Sequence, residues 1–352
     1  MADDKDLVHI LKLLDDESPK VRNRVWEKLE ANLPAWEAGI RARLDELPSV
    51  PRRKLMDLLS GRARKGFRTS WLRWRDMPND MEKLEAALSG LSWYLAEDKV
   101  RRERGVKEEN PGPGENGNHR ENVDYHADFE PVEGPASAIQ AAGEGRIDPP
   151  GNLGVTAPEA PRHPALGSML DGLAGEFRLS GEPLRATALA RFLFSQKGFK
   201  GAEGDYYNPG NSDLVQVIEK NQGIPISLAC IYMLVGHRLG FDISGCDVPE
   251  HFLTRVAEDG KDVIIDCFDG GRILEADRLA QLEQKYAPEF SRLLKTTAKP
   301  EAIVARVLRN LINAYHLAGE RQASQFMWSL AEDLRGERED DADPEQRDRE
   351  TE

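Results

Sequence analysis

The chain has 352 residues, 39% of them hydrophobic, and a net charge of −14, enough length and apolar content for two or three domains with real cores. The negative charge repels a phosphate backbone and argues against generic nucleic-acid binding, and no window approaches the roughly 18 consecutive apolar residues of a membrane span. The acidic start "MADDKDLVHILKLL" lacks an export pattern, so the chain is expected in the cytoplasm. The three cysteines Cys230, Cys246 and Cys267 form no C-x-x-C pair, which disfavours both a disulfide framework and a zinc site.

Residues 1–100 read as helical. Leu7, Ile10, Leu11 and Leu14 follow a helical period, and a second helix starts with Ser18 as N-cap and Pro19 at its first position. Further helices start near Ser49 and Pro51 and after Asn79 and Asp80. The words "LLDDESPKVRNRVWEKL" resemble a HEAT-type repeat, and an ordinary helical bundle fits equally. Between Pro51 and Met77, basic residues interleave with Phe67, Trp71 and Trp74. That pattern suits an anionic partner or stacked bases, or more plainly a solvated helical face with its aromatics turned inward.

Residues 101–164 are rich in Gly and Pro without an apolar period, and read as a disordered linker or insertion; an island such as Val123 to Phe129 is a candidate for docking on the folded part. Helical periodicity resumes near Leu166. A core is expected over 165–298, a helical tail over 299–336 and a solvated acidic end over 337–352.

Within the core, "NQGIPISLACIYMLVGHRLGF" reads as a turn, a helix start and a buried helix ended by Gly240. Three short strands follow, in "FDISGCDV", "HFLTRVAE" and "KDVIIDCF", and Asp259-Gly260 between the last two signals a tight hairpin. With these two residues as the turn, Glu258 pairs with Lys261, and counting outwards sets His251 opposite Phe268 and Leu253 opposite Asp266. His251 and Asp266 then share a face as diagonal neighbours, within reach of an imidazole and a carboxylate. A carboxylate on one ring nitrogen leaves the other as a base, which is triad logic. The plainer reading is a hydrogen-bonded core histidine. A helix start such as "NQGIPIS" is where a nucleophile gains from the dipole and from backbone N–H groups.

The stretches "YYNPGNSDLVQVIEKNQGIPISLACIYMLVGHRLGF", "VPEHFLTRV" and "VIIDCFDGG" together resemble the bacterial transglutaminase-like family that includes the invasion regulator SirB, over about Leu166 to Leu334. The later "VARVLRNLINAYHLAGERQASQFMWSLAEDL" resembles that family's tail, itself similar to tetratricopeptide repeats. The resemblance implies an α+β, papain-like core, with a central helix on a small antiparallel sheet and all-α regions on either side. It further implies a cysteine, histidine and aspartate triad, in which His251 and Asp266 match the second and third members. The position of the first falls at or near Pro225, which has no nucleophile.

Ser227 in the first helical turn is the substitute candidate; Cys230, a turn further in, reads as inert packing. Glu250 stands where the family usually has a glycine, and Cys267 where it usually has a proline. A carboxylate beside His251 favours imidazolium, the wrong form for a base. Alternation points Cys267 away from the Asp266 face, and Cys246 at a strand end is an outside candidate for a reactive thiol. Asn211, Gly223, Pro225, Glu250, Phe252, Phe268, Gly270 and Gly271 are expected to shape the site.

Three readings follow. In the first, the chain is a pseudoenzyme that binds a protein or peptide partner. In the second, it is an amide hydrolase or acyl transferase using Ser227, His251 and Asp266. In the third, the helical ends carry the function and the middle is scaffold. With no phosphate-binding glycine loop, metal-binding helix motif or nucleotide fingerprint, no cofactor and no metal are expected.

Overall fold

Apolar residues at helical spacing build the first layer. The computed structural model describes residues 4–106, 163, 165–249, 251–286 and 289–340. The expected linker, apart from 101–106 and 163, lies outside these residues, as do Val123 to Phe129 and 341–352. Helices α1 (Asp4–Lys12), α2 (Pro19–Arg43) and α3 (Ser49–Ser70) bury Leu7, Ile10, Leu11 and Leu14 against Trp26, Leu29, Leu33 and Trp36, with Leu55 and Leu59 closing this core. Ser18 does precede α2, but its side chain makes no cap; its N–H instead donates to Asp16 Oδ1 at 2.9 Å. The helix runs on through Pro34, which removes one N–H from the ladder without ending it.

The second half of α3 joins a different core. Phe67, Trp71 and Trp74 are almost fully buried, and they pack with α4 (Asp80–Val106), which runs past residue 100, and with the far end of the chain. There the Trp71 indole N–H donates to the Leu330 carbonyl at 3.3 Å. Arg68 grips Asp333 through two nitrogens at 2.6 and 2.5 Å, and Arg75 donates to the Leu334 carbonyl at 2.9 Å. The stretch from Pro51 to Met77 is therefore a largely solvated basic face with its rings turned inward, joined to α12 through Arg68, Trp71 and Arg75.

Helices α5 (Leu166–Leu179), α6 (Ala186–Arg191) and α7 (Leu214–Lys220) surround α8 (Pro225–Arg238). Every residue of α8 from Pro225 to Gly236 is buried, the mark of a helix that is apolar all round. Its far end is tied down by Arg238, which contacts Glu85 of α4 at 2.8 Å and Asp171 of α5 at 2.6 Å. Two short strands, β1 (Lys200–Gly201) and β2 (Gln222–Gly223), pair in parallel beside its start.

Strands β3 (Ile243–Val248), β4 (His251–Glu258), β5 (Lys261–Asp266) and β6 (Arg272–Ile273) form an antiparallel sheet in sequence order. Glu258 pairs with Lys261, and Asp259 (φ 51°) and Gly260 (φ 75°) make the left-handed two-residue turn that matches strand twist. From Glu258–Lys261 to Thr254–Ile265 the β4–β5 register is the one counted from the sequence; the ladder stops before the counted pairs Leu253–Asp266 and His251–Phe268. One face, carrying Phe252, Val256, Ile265 and Cys267, shares the core of α8. The other, carrying Cys246, Val248, Leu253 and Ile264, is closed by Leu282 of α9 (Ala276–Tyr286) and Phe290 of α10 (Phe290–Lys295). Helices α11 (Pro300–Leu317) and α12 (Arg321–Asp340) form a closely packed pair whose Val304, Leu308, Leu311, Met327 and Leu330 complete the main core. The result is an α+β fold with helical regions at both ends.

Candidate functional site

The start of α8 is built by its own backbone. Asp213 caps α7 by accepting from the Val215 N–H at 3.1 Å, and α7 ends at Asn221 in the left-handed conformation (φ 52°). The chain then passes through β2 to Ile224 as N-cap and Pro225 as the first helical residue, where a missing N–H costs nothing. Ser227 Oγ accepts from the Ile224 N–H at 3.0 Å and donates to the Ile224 carbonyl at 3.0 Å, and the residue is only 1% exposed. Gly223 permits this closure, because a Cβ there would lie 2.6 Å from Ser227 Oγ and 2.9 Å from Val217 Cγ1. The hydroxyl is thus used in both directions and shut off from solvent.

His251 opens β4, paired with Val248, and is half-buried. Asp266 closes β5, where its Oδ1 accepts from the N–H groups of Phe268 at 3.0 Å and Asp269 at 3.2 Å. This turns the chain into Gly270 and Gly271, both at positive φ. By ladder register His251 lies on the face of Val248 and Leu253, and Asp266 on that of Ile264. The two share a face, and it is the one covered by α9 and α10, whereas α8 lies beneath the other. Cys267 belongs to the α8 side, as alternation requires. Glu250 lies outside the described residues.

The remaining shaping residues hold loops in place. Buried Asn211 donates through Nδ2 to the carbonyls of Asp205 and Tyr206, the latter at 3.2 Å, fixing the loop that carries two tyrosines. Tyr206 is half-buried, its ring 5.2 Å from exposed Tyr207 and 6.1 Å from Phe268; burial pushes its hydroxyl above the ordinary range, against the opposing pull of Arg306. Phe252 is buried beneath the Arg306 guanidinium, 5.7 Å from its ring.

Arg306 and Asp247 escaped the sequence reading. Arg306 of α11 pairs with the Asp247 carboxylate and donates to the Val248 carbonyl at 3.0 Å, so the tail holds the hairpin that begins β4. The available signal is an arginine between the apolar positions Val304 and Val307.

None of the thiols is exposed. Burial pushes Cys230 and Cys267 far above the ordinary thiol range, and Cys246, which donates to the Leu294 carbonyl at 3.3 Å, up to about 11. A thiol with so little thiolate is a poor nucleophile near neutral pH. Among the described residues no group of three or more His, Cys, Asp or Glu is placed to hold a metal ion, and no helix is long and apolar enough to cross a membrane.

Comparison with known proteins agrees with this architecture. The transglutaminase-like superfamily model matches residues 165–309. A UPF0162 protein of Xylella fastidiosa (strain Temecula1) is 39% identical over 139 residues, 38% of this chain and 50% of the relative. A UPF0162 protein of Pseudomonas aeruginosa is 31% identical over 142 residues, 40% of this chain and 52% of the relative. Mouse F-box only protein 21 is 28% identical over 178 residues, 49% of this chain and 28% of that protein. The chain thus spans about half the length of these bacterial relatives and less of the mouse protein. No solved structure matches it. Residues 165–309, with α8 buried against one face of an antiparallel sheet, form a domain of the transglutaminase-like superfamily.

Proposed function

We propose that the transglutaminase-like domain is a SirB-type module without cysteine catalysis, which binds a protein or peptide partner in the cytoplasm. The observation that carries this reading is the start of α8, where Pro225 occupies the first helical position and Ser227, the candidate substitute nucleophile, spends its hydroxyl on the Ile224 backbone at 1% exposure. Acyl transfer through Ser227 requires breaking both of those hydrogen bonds and opening the helix start to solvent. The partner-facing surface in this reading is the aromatic ledge of Tyr207, Tyr206 and Phe268, beside the hairpin held by Arg306.

The test is ammonia release and amide hydrolysis on glutamine-containing peptides by the full chain, beside Ser227→Ala and His251→Ala. The expected result is turnover indistinguishable from buffer in all three. Turnover lost in both variants sinks the binding-module reading and establishes the serine mechanism.

A further inference from the structure

A cavity of about 320 Å³ lies where α4, the turn before α7, α7 itself and α11 meet. It shares that turn with the candidate site but none of the triad positions. Leu95 and Lys99 reach it from successive turns of α4, Gln216 and Lys220 from successive turns of α7, and buried Tyr315 from α11; the Asn208 to Gly210 turn completes the wall. Among the described lining residues two are cationic and none is anionic, in a chain of net charge −14. Gln216 is oriented by its Nε2, which donates to Asp213 Oδ2 at 2.9 Å; its Oε1 accepts from Lys220 Nζ at 3.3 Å, holding one ammonium at the cavity. The two carboxylates nearest in sequence to this turn are not among the described lining residues, and each is held by a hydrogen bond from a wall residue, Asn208 or Gln216. Asp205 accepts from Asn208 Nδ2 at 2.7 Å, and Asp213 caps α7.

We propose that this cavity binds a small organic phosphate, with the phosphate between Lys99 and Lys220 and its carbon skeleton against Leu95 and Tyr315. Two lysines lining one cavity from different helices suit a phosphate, whose oxygens accept from several directions; a carboxylate is matched better by a planar arginine fork, which none of the described lining residues supplies. The volume falls at the small end of ordinary ligand pockets. The assignment is independent of whether the domain catalyses anything.

The test is calorimetric titration of the full chain with phenyl phosphate, inorganic phosphate and benzoate at low ionic strength. Wild-type chain, Lys99→Gln, Lys220→Gln and the distant exposed control Lys261→Gln are compared. Both cavity lysines are exposed, so their variants should fold, and thermal melts check that they do. Phenyl phosphate is expected to bind saturably with a dissociation constant of about 1 mM or below, weakened about tenfold by either cavity variant and unchanged in Lys261→Gln. Inorganic phosphate is expected to bind more weakly than phenyl phosphate, because it cannot use the apolar wall, and benzoate more weakly still. No saturable binding, equal affinity in the cavity variants, or benzoate binding as tightly as phenyl phosphate overturns the proposal.

Discussion

Ser227 shows how one side chain can look catalytic in sequence and be structural in the fold. Its hydroxyl satisfies a donor and an acceptor of Ile224 at a buried helix start, so Ser227→Ala should destabilise the fold by about 1–2 kcal/mol, read by urea denaturation. The cysteines make a second prediction at this scale. Cys246 keeps its proton up to about 11, against an ordinary value of 9.0, and Cys230 and Cys267 are shifted the same way. Between the unfolded and folded values the unfolded chain binds fewer protons, so stability falls as pH rises. Melts should show full thiol-linked stability below about pH 8 and a decline from pH 9 towards 11. A thiol reagent should label the native chain at pH 7 far more slowly than the unfolded chain.

Elements differed in how much of them could be read from sequence. The β4–β5 hairpin was legible to the residue, because Asp259-Gly260 dictates a two-residue turn and strand alternation carries the register from there. The side chains at the start of α8 were not legible, since the fate of Ser227 depends on the missing Cβ of Gly223. Nor was the face of the sheet that carries His251 and Asp266 assigned to α9 and α10, because alternation tells which residues share a face and not what covers it. The seam between α3, α4 and α12 is the element most open to test. Trp71→Ala should cost about 3–5 kcal/mol by urea denaturation, because a large ring and its bond to Leu330 are lost from a tight core. Arg68→Ala should cost under about 1 kcal/mol, since that arginine is half exposed to screening solvent.

For the whole molecule, α11 and α12 belong to the core. Arg306 on α11 anchors the hairpin before His251, and Asp333 on α12 receives Arg68 from the N-terminal helices. The partners in that second contact are 265 residues apart, and Trp71 is 259 residues from its carbonyl partner. During synthesis at about 5–20 residues per second, the rings of Phe67, Trp71 and Trp74 leave the ribosome roughly 13–53 s before the α12 residues that complete their cover exist. For that interval α4 is the cover these rings have, and the side that meets Phe326 and Leu330 stays open until α12 is made.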